Sequence, residues 1–567
     1  MDVDEVKEDV REENEKQEQL GEEESADVDG DGDDGEGEDQ SSQQQHGEGS
    51  EFRVQLQNLS PYISHKQLRN MLLKKLDMTP KNLKKIRLMR DTAYINFDTE
   101  ESADNAVNVL NGLTLKNKQV IAKRIGAAPL VRKPARTTVH TQSKGETENK
   151  NARDTVTPLW NMPYEEQLKM KHNDAETLTS SLLKQFKQAG VSSANSYSVR
   201  DLLHPVRPSP KNVAYRNKCE FTVGRDSNGD VCVGFVGGRF NHGKHTVQPI
   251  VDCTNISNAM KRVVAAFQDF VIESKLAPFD EFNRVGFWKM LTVREFSFDL
   301  MIIATATKSE MDTPTVRKAL ADRFLSLSTL TQDEFRVTSV YWQTLEHASD
   351  PVVYDHLGGA PYVYETMLDC RFRVSPAAFF QTNSSAAEVL YRTIGEVAQL
   401  DDQSLLLDIC CGTGTIGICL AKSQKTLGCV GVEIIKEAVE DARINAQANK
   451  LDNVCRFICG RAEEAFNVLK YSLPAGVDLD KTKLVGVLDP PRAGLHAKLV
   501  NSLRKMTTLK RIVYVSCEPR LAMKNFIDLA RPESNRFDGD PFVLKSITPV
   551  DMFPQTTHCE WVLLFER

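Results

Sequence analysis

The stretch "LLLDICCGTGTIGICLA", residues 405–421, joins two apolar runs through a glycine-rich turn. The first run predicts a buried strand and the second a helix, because each is bounded by turn residues. Gly412 and Gly414 let the backbone approach a ligand where the N–H groups of the helix point outward. The stretch therefore predicts a doubly wound α/β sheet with a ligand site at the carboxyl end of its first strand.

A second predicted strand, "GCVGVEI" (428–434), extends this site. It ends at Glu433, 25 residues after Asp408, where a carboxylate can accept hydrogen bonds from ribose hydroxyls. A dinucleotide-binding fold places an acidic residue similarly, but its G-x-G-x-x-G spacing is not met here. The D-x-x-x-G-x-G pattern resembles class I methyltransferases. That resemblance implies S-adenosylmethionine as the bound cofactor.

A third strand, "KLVGVLDPPRAG" (483–494), ends at Asp489 and two prolines that keep the loop out of a helix. We expect Asp489 beside the same cleft, because the carboxyl ends of parallel strands share one edge. Enzymes that methylate amino groups carry an aromatic residue after such prolines, and those that methylate cytosine in RNA carry a cysteine. Arg492 stands there in this chain, so neither an amino group nor cytosine is the expected methyl acceptor.

The segment "IVYVSCEPRLA" (512–522) delivers Cys517 from a strand into a turn closed by a proline. A cysteine inside the strand would be a small core residue, whereas one at the strand's exit can be reached by a ligand. Glu560 stands just before the closing strand "WVLLF", and alone it could be a solvated strand-edge residue. Together the two side chains indicate a reacting pair; His558, close by, is interpreted as structural.

A thiolate and a carboxylate beside a methyl donor suit methylation of carbon 5 of uracil. The thiolate adds to carbon 6, carbon 5 then becomes nucleophilic, and a base removes its proton. Cys517 is the predicted nucleophile and Glu560 the predicted base. Because the thiolate reacts, we expect the pKa of Cys517 to be lowered by Arg492 or Arg520. The target base must leave the RNA stack.

Residues from about 210 to 567 resemble the RNA uracil-5-methyltransferase family. The motifs that carry this resemblance occur in the family's order: "YRNKCEFTVG" (215–224), "VSPAAFFQTN" (374–383), "LDICCGTGTIG", "VLDPPRAG", "YVSCEP" and "HCEWV". The resemblance implies that Cys517 is the nucleophile and Glu560 the base. It implies a cofactor pocket formed by Gln381, Gly412, Glu433 and Asp489. We assign Thr415 to the same pocket, although the family often has asparagine at this position.

Residues 51–125 read strand, helix, strand, strand, helix, strand and resemble the RNA recognition motif (RRM). Gln55 and Thr92 stand where stacking aromatics would be expected, and Tyr94 remains. Binding of RNA and binding of a protein partner are therefore both open for this module. An RRM-like module ahead of the catalytic part is similar to the eukaryotic branch that makes 5-methyluridine in the T loop of tRNA, at position 54. This similarity implies that the protein is located in the cytosol or the nucleus.

The chain is predicted to be a multidomain α/β and α+β protein. Its parts are an RRM-like βαββαβ module, an α+β middle region and a C-terminal Rossmann-like class I methyltransferase domain. The predicted boundaries are a disordered acidic tail at 1–50, the RRM-like module at 51–125, a linker at 126–155, a helical connector at 156–210, an RNA-binding middle region at 211–370 and the catalytic domain at 371–567.

The formal net charge of −8 is the sum of a strongly acidic N-terminal segment and a basic remainder of the chain. Residues 1–51 alone contribute −19, from 22 acidic and three basic residues, so residues 52–567 carry +11. This favours an RNA partner, although a solvated surface would show the same excess. No run of about 18 apolar residues predicts a membrane span, and the acidic first twenty residues are unlike a secretory signal.

The 12 cysteines include no C-x-x-C pair, so we expect reduced thiols, no metal and no iron–sulfur cluster. A monomer is expected. Two alternatives to tRNA methylation stay open. One is the same chemistry on messenger or ribosomal RNA. The other is a largely non-catalytic protein that binds RNA or assists tRNA folding.

Overall fold

The computed structural model divides the chain into two compact units, residues 1–145 and 146–567. It describes residues 52–59, 65–76, 78, 83–88, 92–97, 99–115, 118–125, 151–237, 246–330, 335–345, 352–479 and 481–567. The tail predicted at 1–50 lies outside the described residues, as does most of the predicted linker.

In the first unit the elements follow the predicted βαββαβ order. The strands and helices are β1 (Arg53–Gln57), α1 (His65–Leu76), β2 (Leu83–Leu88), β3 (Ala93–Phe97), α2 (Glu100–Leu110), β4 (Thr114–Leu115), β5 (Lys118–Gln119) and β6 (Ile121–Ile125). The main sheet has the order β2-β3-β1-β6, and β4 pairs with β5. Residues of β3 alternate between buried and half-buried, as a sheet with one covered face requires.

The open face of this sheet carries a polar contact where stacking aromatics would be expected. Gln55 lies opposite Tyr94 across β1 and β3. Its Nε2 donates a hydrogen bond to the Tyr94 hydroxyl over 3.1 Å. Helix α2 begins at a Thr99 cap, whose Oγ1 accepts from the Ser102 N–H, and its buried face includes Ala103.

The second unit opens with the predicted helical connector. Its elements are α3 (Ala152–Val156), α4 (Tyr164–Gln188), a 3-10 turn at Ser192–Asn195 and α5 (Val199–Leu202). Ala152 is fully buried, so this unit begins inside the segment predicted as linker, and the linker's end at 155 is too late. In α4 the buried positions recur every three or four residues, which gives one stripe facing the core.

A seven-stranded sheet forms the middle region, in the order β13-β12-β11-β10-β7-β8-β9. Its strands are β7 (Lys218–Arg225), β8 (Val231–Gly237), β9 (Thr246–Gln248), β10 (Trp288–Phe296), β11 (Asp299–Ala306), β12 (Arg336–Thr344) and β13 (Tyr354–Gly359). Helices α6 (Asn258–Ser274) and α7 (Pro314–Leu330) interrupt it. The short hairpin β14 (Val363–Met367) and β15 (Cys370–Val374) follows.

The C-terminal part is the predicted doubly wound sheet, with strand order β18-β17-β16-β19-β20-β22-β21. Its elements are α8 (Ser384–Ala398), β16 (Ser404–Ile409), α9 (Thr415–Ser423), β17 (Gly428–Glu433), α10 (Lys436–Ala448), β18 (Cys455–Cys459), α11 (Ala462–Val468), a 3-10 turn at Leu469–Tyr471, β19 (Lys483–Leu488), α12 (Ala497–Lys505), β20 (Leu509–Ser516), α13 (Pro519–Ala530), β21 (Val543–Val550) and β22 (Glu560–Glu566). Strands β16 to β20 pair in parallel, and β22 runs antiparallel to β20 and β21.

Strand β16 is buried on both faces. Leu405 and Leu407 pack into a core shared with α4, α12 and α13, whereas Leu406 packs into a core shared with α8, α9 and α10. Complete burial of each leucine is worth about 1.5–3 kcal/mol. The second core also contains Met301 and Tyr341 of the middle sheet, so the boundary predicted at 370/371 lies inside one packed body.

The glycine-rich turn generates a stability prediction. Gly412 and Gly414 have φ angles of +53° and +78°. A Cβ at Gly414 would lie 2.9 Å from the ring of Phe457, whereas one at Gly412 would meet no atom within 4 Å. Gly414→Ala should therefore lose on the order of 1 kcal/mol more than Gly412→Ala, beyond the left-handed strain that both share. Thermal unfolding of the two variants checks this; equal melting temperatures would contradict it.

Candidate active site

One cleft opens along the carboxyl edge of the C-terminal sheet. Strands β16, β17, β19 and β20 end there, and β22 begins there because it runs the other way. The cleft encloses about 1850 Å³. All seven residues predicted from the sequence line it: Gln381, Gly412, Thr415, Glu433, Asp489, Cys517 and Glu560. The structure thus brings together residues that are up to 179 positions apart in the chain.

The turn after β16 is held from β17. The Gly412 N–H donates to Glu433 Oε2 over 3.0 Å. The other oxygen, Oε1, accepts from the N–H groups of Ile434 (2.8 Å) and Ile435 (3.0 Å). Glu433 is thereby fixed at the rim, and Oε2, which accepts one hydrogen bond, keeps acceptor capacity for a ligand hydroxyl. The turn also holds Cys410 at φ +63°, a left-handed conformation that the sequence pattern did not indicate.

Asp408, the first residue of the D-x-x-x-G-x-G pattern, lies fully buried beneath the turn. Its Oδ2 accepts from the Gly417 N–H over 2.9 Å, which ties β16 to the first turn of α9. Oδ1 is buried without a partner among the described residues. Burial raises the pKa of Asp408 to about 7.

Thr415 opens α9, and its side-chain oxygen is 2.9 Å from the Tyr391 hydroxyl of α8. Tyr391 also lines the cleft, although the sequence reasoning did not single it out. This contact fixes the Thr415 side chain at the floor of the pocket.

Gln381 is presented by a loop that the middle sheet holds. Arg294 of β10 donates from Nη2 to the carbonyl oxygens of Pro376 (3.0 Å) and Ala378 (2.5 Å). Asn217 donates from Nδ2 to the Gln381 carbonyl over 2.9 Å, and its own N–H donates to the Thr382 carbonyl over 2.9 Å. Sequence reasoning missed both holding residues. No sequence signal marked Arg294, because its strand also carries the charged residues Lys289 and Glu295.

Cys517 lies between the end of β20 and the Glu518 cap of α13. It is half-buried, and burial raises the pKa of its thiol to about 11, with further increases from Glu560 and Asp489. Arg492 acts in the opposite direction. The expectation of a lowered pKa is therefore wrong: burial and two carboxyl groups outweigh one cation.

Arg520, the other cation expected at the thiol, lies elsewhere. Its Nη2 pairs with Asp174 of α4 at 2.6 Å, and both side chains are substantially exposed. Arg492 is thus the cation that acts on Cys517. His558 lies exposed at the cleft rim, and its N–H donates to Thr556 Oγ1 over 3.2 Å.

Glu560 is only 2% exposed, at the first position of β22. Burial, and then the charge of Asp489, raise its pKa well above the usual range for a carboxyl group. Burial likewise raises the pKa of Asp489 to about 6. At neutral pH the resting Cys517 thiol is therefore protonated.

Across the described parts of the chain, no three His, Cys, Asp or Glu side chains are arranged to hold a metal ion. All 12 cysteines are free thiols. Among the same residues, no helix combines the length and apolar character that crossing a membrane requires.

Comparison with known proteins identifies relatives for both units. The tRNA (uracil-5-)-methyltransferase family profile matches residues 363–567, and the RNA recognition motif profile matches residues 54–121. Human tRNA (uracil-5-)-methyltransferase homolog A is 38% identical over 542 residues, which cover 91% of this chain and 83% of the relative. Mouse tRNA (uracil-5-)-methyltransferase homolog B is 38% identical over 432 residues, covering 73% and 85%.

A solved structure shares the fold. The Pyrococcus abyssi tRNA (uracil-54, C5)-methyltransferase, crystallised with S-adenosyl-L-homocysteine, aligns with a TM-score of 0.51 and 23% identity. The alignment covers 80% of this chain and 90% of the archaeal one. Together with the family profiles, it confirms the predicted RRM-like module and class I methyltransferase fold.

The raised pKa of Cys517 predicts how the thiol reacts in the resting protein. Its alkylation by iodoacetamide should accelerate about tenfold per pH unit from pH 7 to 10, because only the thiolate reacts. Arg492→Gln should slow alkylation at each of these pH values, since it removes the charge that lowers the pKa. Peptide mass spectrometry resolves Cys517 from exposed Cys459, the internal control. A plateau below pH 9 would show that the thiol is acidic.

Proposed function

Because the chain belongs to the tRNA (uracil-5-)-methyltransferase family, we propose that it methylates carbon 5 of a uridine in tRNA, with S-adenosylmethionine as the donor. The uridine at position 54 of the T loop is the proposed target. The observation that carries the proposal is that Cys517 and Glu560 face one cleft with the glycine-rich turn and Glu433.

The donor fits the residues that form the turn side of the cleft. Open space lies over Gly412, since a Cβ there would meet no atom within 4 Å. Glu433, held by three backbone N–H groups, can accept from ribose hydroxyls. We propose that Gly412, Thr415, Glu433, Asp489 and Gln381 hold the donor. When bound, S-adenosylmethionine supplies an electrophilic methyl group on a sulfonium ion.

Cys517 is the proposed nucleophile. Carbon 5 of uracil reacts poorly with electrophiles until its neighbour, carbon 6, forms a bond to the thiolate. The electron pair of the 5,6 double bond then becomes an enolate over carbon 5 and the carbonyl at carbon 4, so carbon 5 can take up the methyl group. Because the resting thiol is protonated, it must first release its proton to solvent. The positive charge of Arg492 favours that loss.

Glu560 is the proposed base that completes the reaction. It takes the proton from carbon 5, the electron pair re-forms the 5,6 double bond, and the bond from carbon 6 to the Cys517 sulfur breaks. The proton ends on Glu560 and the thiolate is regenerated. A carboxylate whose pKa is raised by burial is a stronger base once ionised, which suits removal of a weakly acidic proton.

The depth of the site requires that the target base leave the RNA stack. Glu560 is almost fully buried and Cys517 is half-buried, so neither can reach a base inside a stacked arm. An extruded base can enter the cleft, and its unstacking is the energetic requirement of such enzymes. The excess positive charge of residues 52–567 supports binding of the surrounding phosphates.

A second function, tRNA binding without methylation, is favoured by one observation. The match to the RNA recognition motif at residues 54–121 supports nucleic-acid binding by the first unit. Such binding can coexist with methylation, and a variant that lacks the nucleophile separates the two. Messenger and ribosomal RNA are the alternative substrates.

Replacing the nucleophile tests the reaction. With unmodified tRNA and S-adenosylmethionine labelled in its methyl group, the full-length protein should yield labelled 5-methyluridine after digestion. Cys517→Ala should lose this label by at least about 10³-fold, since carbon 5 is no longer activated, while filter binding of tRNA persists. Cys459→Ala, which changes an exposed cysteine, is the control. If label appeared only in another RNA, the reaction would stand and tRNA would be excluded as the substrate. If no RNA were labelled while tRNA still bound, RNA binding would remain as the function.

Replacing the base should separate methyl transfer from product release. Glu560→Gln should accumulate a methylated protein–RNA adduct, because its amide cannot take the carbon 5 proton, and release should slow about 10²–10⁴-fold. Denaturing gels resolve the adduct. Glu566→Gln, at the far end of the same strand, is the matched control. Release at the normal rate from Glu560→Gln would show that another group is the base.

A further inference from the structure

The connection between β21 and β22 decides where Glu560 enters the cleft. Strand β21 ends at Val550 and β22 begins at Glu560, and these two residues lie opposite each other in register. Residues 551–559 form the turn between them. Any shift of this turn moves Glu560, the first residue of β22, because the turn joins β21 to β22.

A buried ion pair anchors this turn to a helix outside the sheet. Lys171 of α4 places Nζ 2.5 Å from Asp551 Oδ1 and donates to the Phe553 carbonyl over 3.0 Å. Neither charged side chain is exposed to solvent. The Tyr164 hydroxyl donates to Asp551 Oδ2 over 2.9 Å and accepts from the Ser209 N–H over 2.8 Å. One helix therefore holds both oxygens of the carboxylate.

The second half of the turn is anchored from the same helix. Gln167 accepts at Oε1 from the Gln555 N–H over 2.7 Å. Its Nε2 donates to the carbonyl oxygens of Leu159 and Met162. Tyr215, ahead of β7, donates to the Pro554 carbonyl over 2.9 Å. The turn is thus fixed at successive residues from elements outside the C-terminal sheet.

A buried ion pair adds little net stability compared with apolar side chains of similar volume, since both charges lose their hydration. In some proteins a buried polar or charged group instead specifies one geometry. We propose that Lys171, Asp551 and Tyr164 are positioning residues that set the place of Glu560 for removal of the carbon 5 proton. This inference rests on the proposed function. None of the three lines the cleft, so they act through the turn.

The positioning role predicts an effect on one step of the reaction. Glu560 acts after methyl transfer, whereas Cys517 and the donor pocket act before it. A base displaced by about 1 Å can slow its step about 10²-fold, whereas a loss of folded protein lowers every step equally. Variants of the anchor should therefore slow release of the methylated RNA and leave formation of the adduct nearly unchanged.

The test compares Tyr164→Phe and Lys171→Met with the full-length protein in single turnovers on unmodified tRNA. Adduct formation and release are followed on denaturing gels with labelled S-adenosylmethionine. We expect formation within about twofold of the unmodified chain, and release slowed at least about tenfold in Lys171→Met and less in Tyr164→Phe. Asp174→Asn is the matched control. It lies one turn along α4 but pairs with exposed Arg520, and its release should be unchanged.

Formation and release slowed by the same factor would overturn the inference, as would normal release in Tyr164→Phe. That variant loses one hydroxyl and keeps the ion pair, so it decides the question if Lys171→Met does not fold. If the unmodified chain puts no label into tRNA, the proposed function fails and the inference with it. If the unmodified chain labels tRNA and the variants release it at the normal rate, the positioning role is excluded and the proposed function stands.

Discussion

The parallel pairing of β16, β17, β19 and β20 is the constraint on which the site depends. Parallel strands end at one edge, so the turn after β16, Glu433, Asp489 and Cys517 must meet there. Strand β22 runs the other way, and therefore its first residue, Glu560, reaches the same edge. Burial of β16 between two cores places this strand in the interior of the sheet, with Leu405 and Leu407 in one core and Leu406 in the other.

Burial sets the chemistry of the site. The thiol of Cys517 and the carboxyl groups of Asp489 and Glu560 all have raised pKa values, because each loses hydration; neighbouring carboxyl groups raise the pKa values of Cys517 and Glu560 further. The resting thiol of Cys517 is therefore protonated at neutral pH. Arg492 is the cation that offsets part of this effect at Cys517. In the proposed reaction, the raised pKa makes Glu560 a stronger base once it is ionised, while Cys517 must lose its proton before it reacts.

The middle sheet and the helical connector build the site from outside the C-terminal sheet. Arg294 and Asn217 hold the loop that presents Gln381, and Lys171 holds the turn that leads to Glu560. Buried Met301 of the middle sheet shares a core with α8, α9 and α10 of the C-terminal part. These contacts explain why residues 146–567 form one compact unit: the loops of the site are fixed by elements on either side of it.

The amino-acid sequence by itself determined the strand–turn–helix at 405–421, the acidic end of β17 and the exit of Cys517 from its strand. These depend on local periodicity and turn chemistry, which neighbouring residues fix. The tertiary structure alone decided the direction of the Cys517 pKa shift, the pairing of Arg520 with Asp174 and the anchor between Lys171 and Asp551, which are 380 residues apart. A pKa and a buried ion pair depend on distance and burial in space, and no local pattern encodes either.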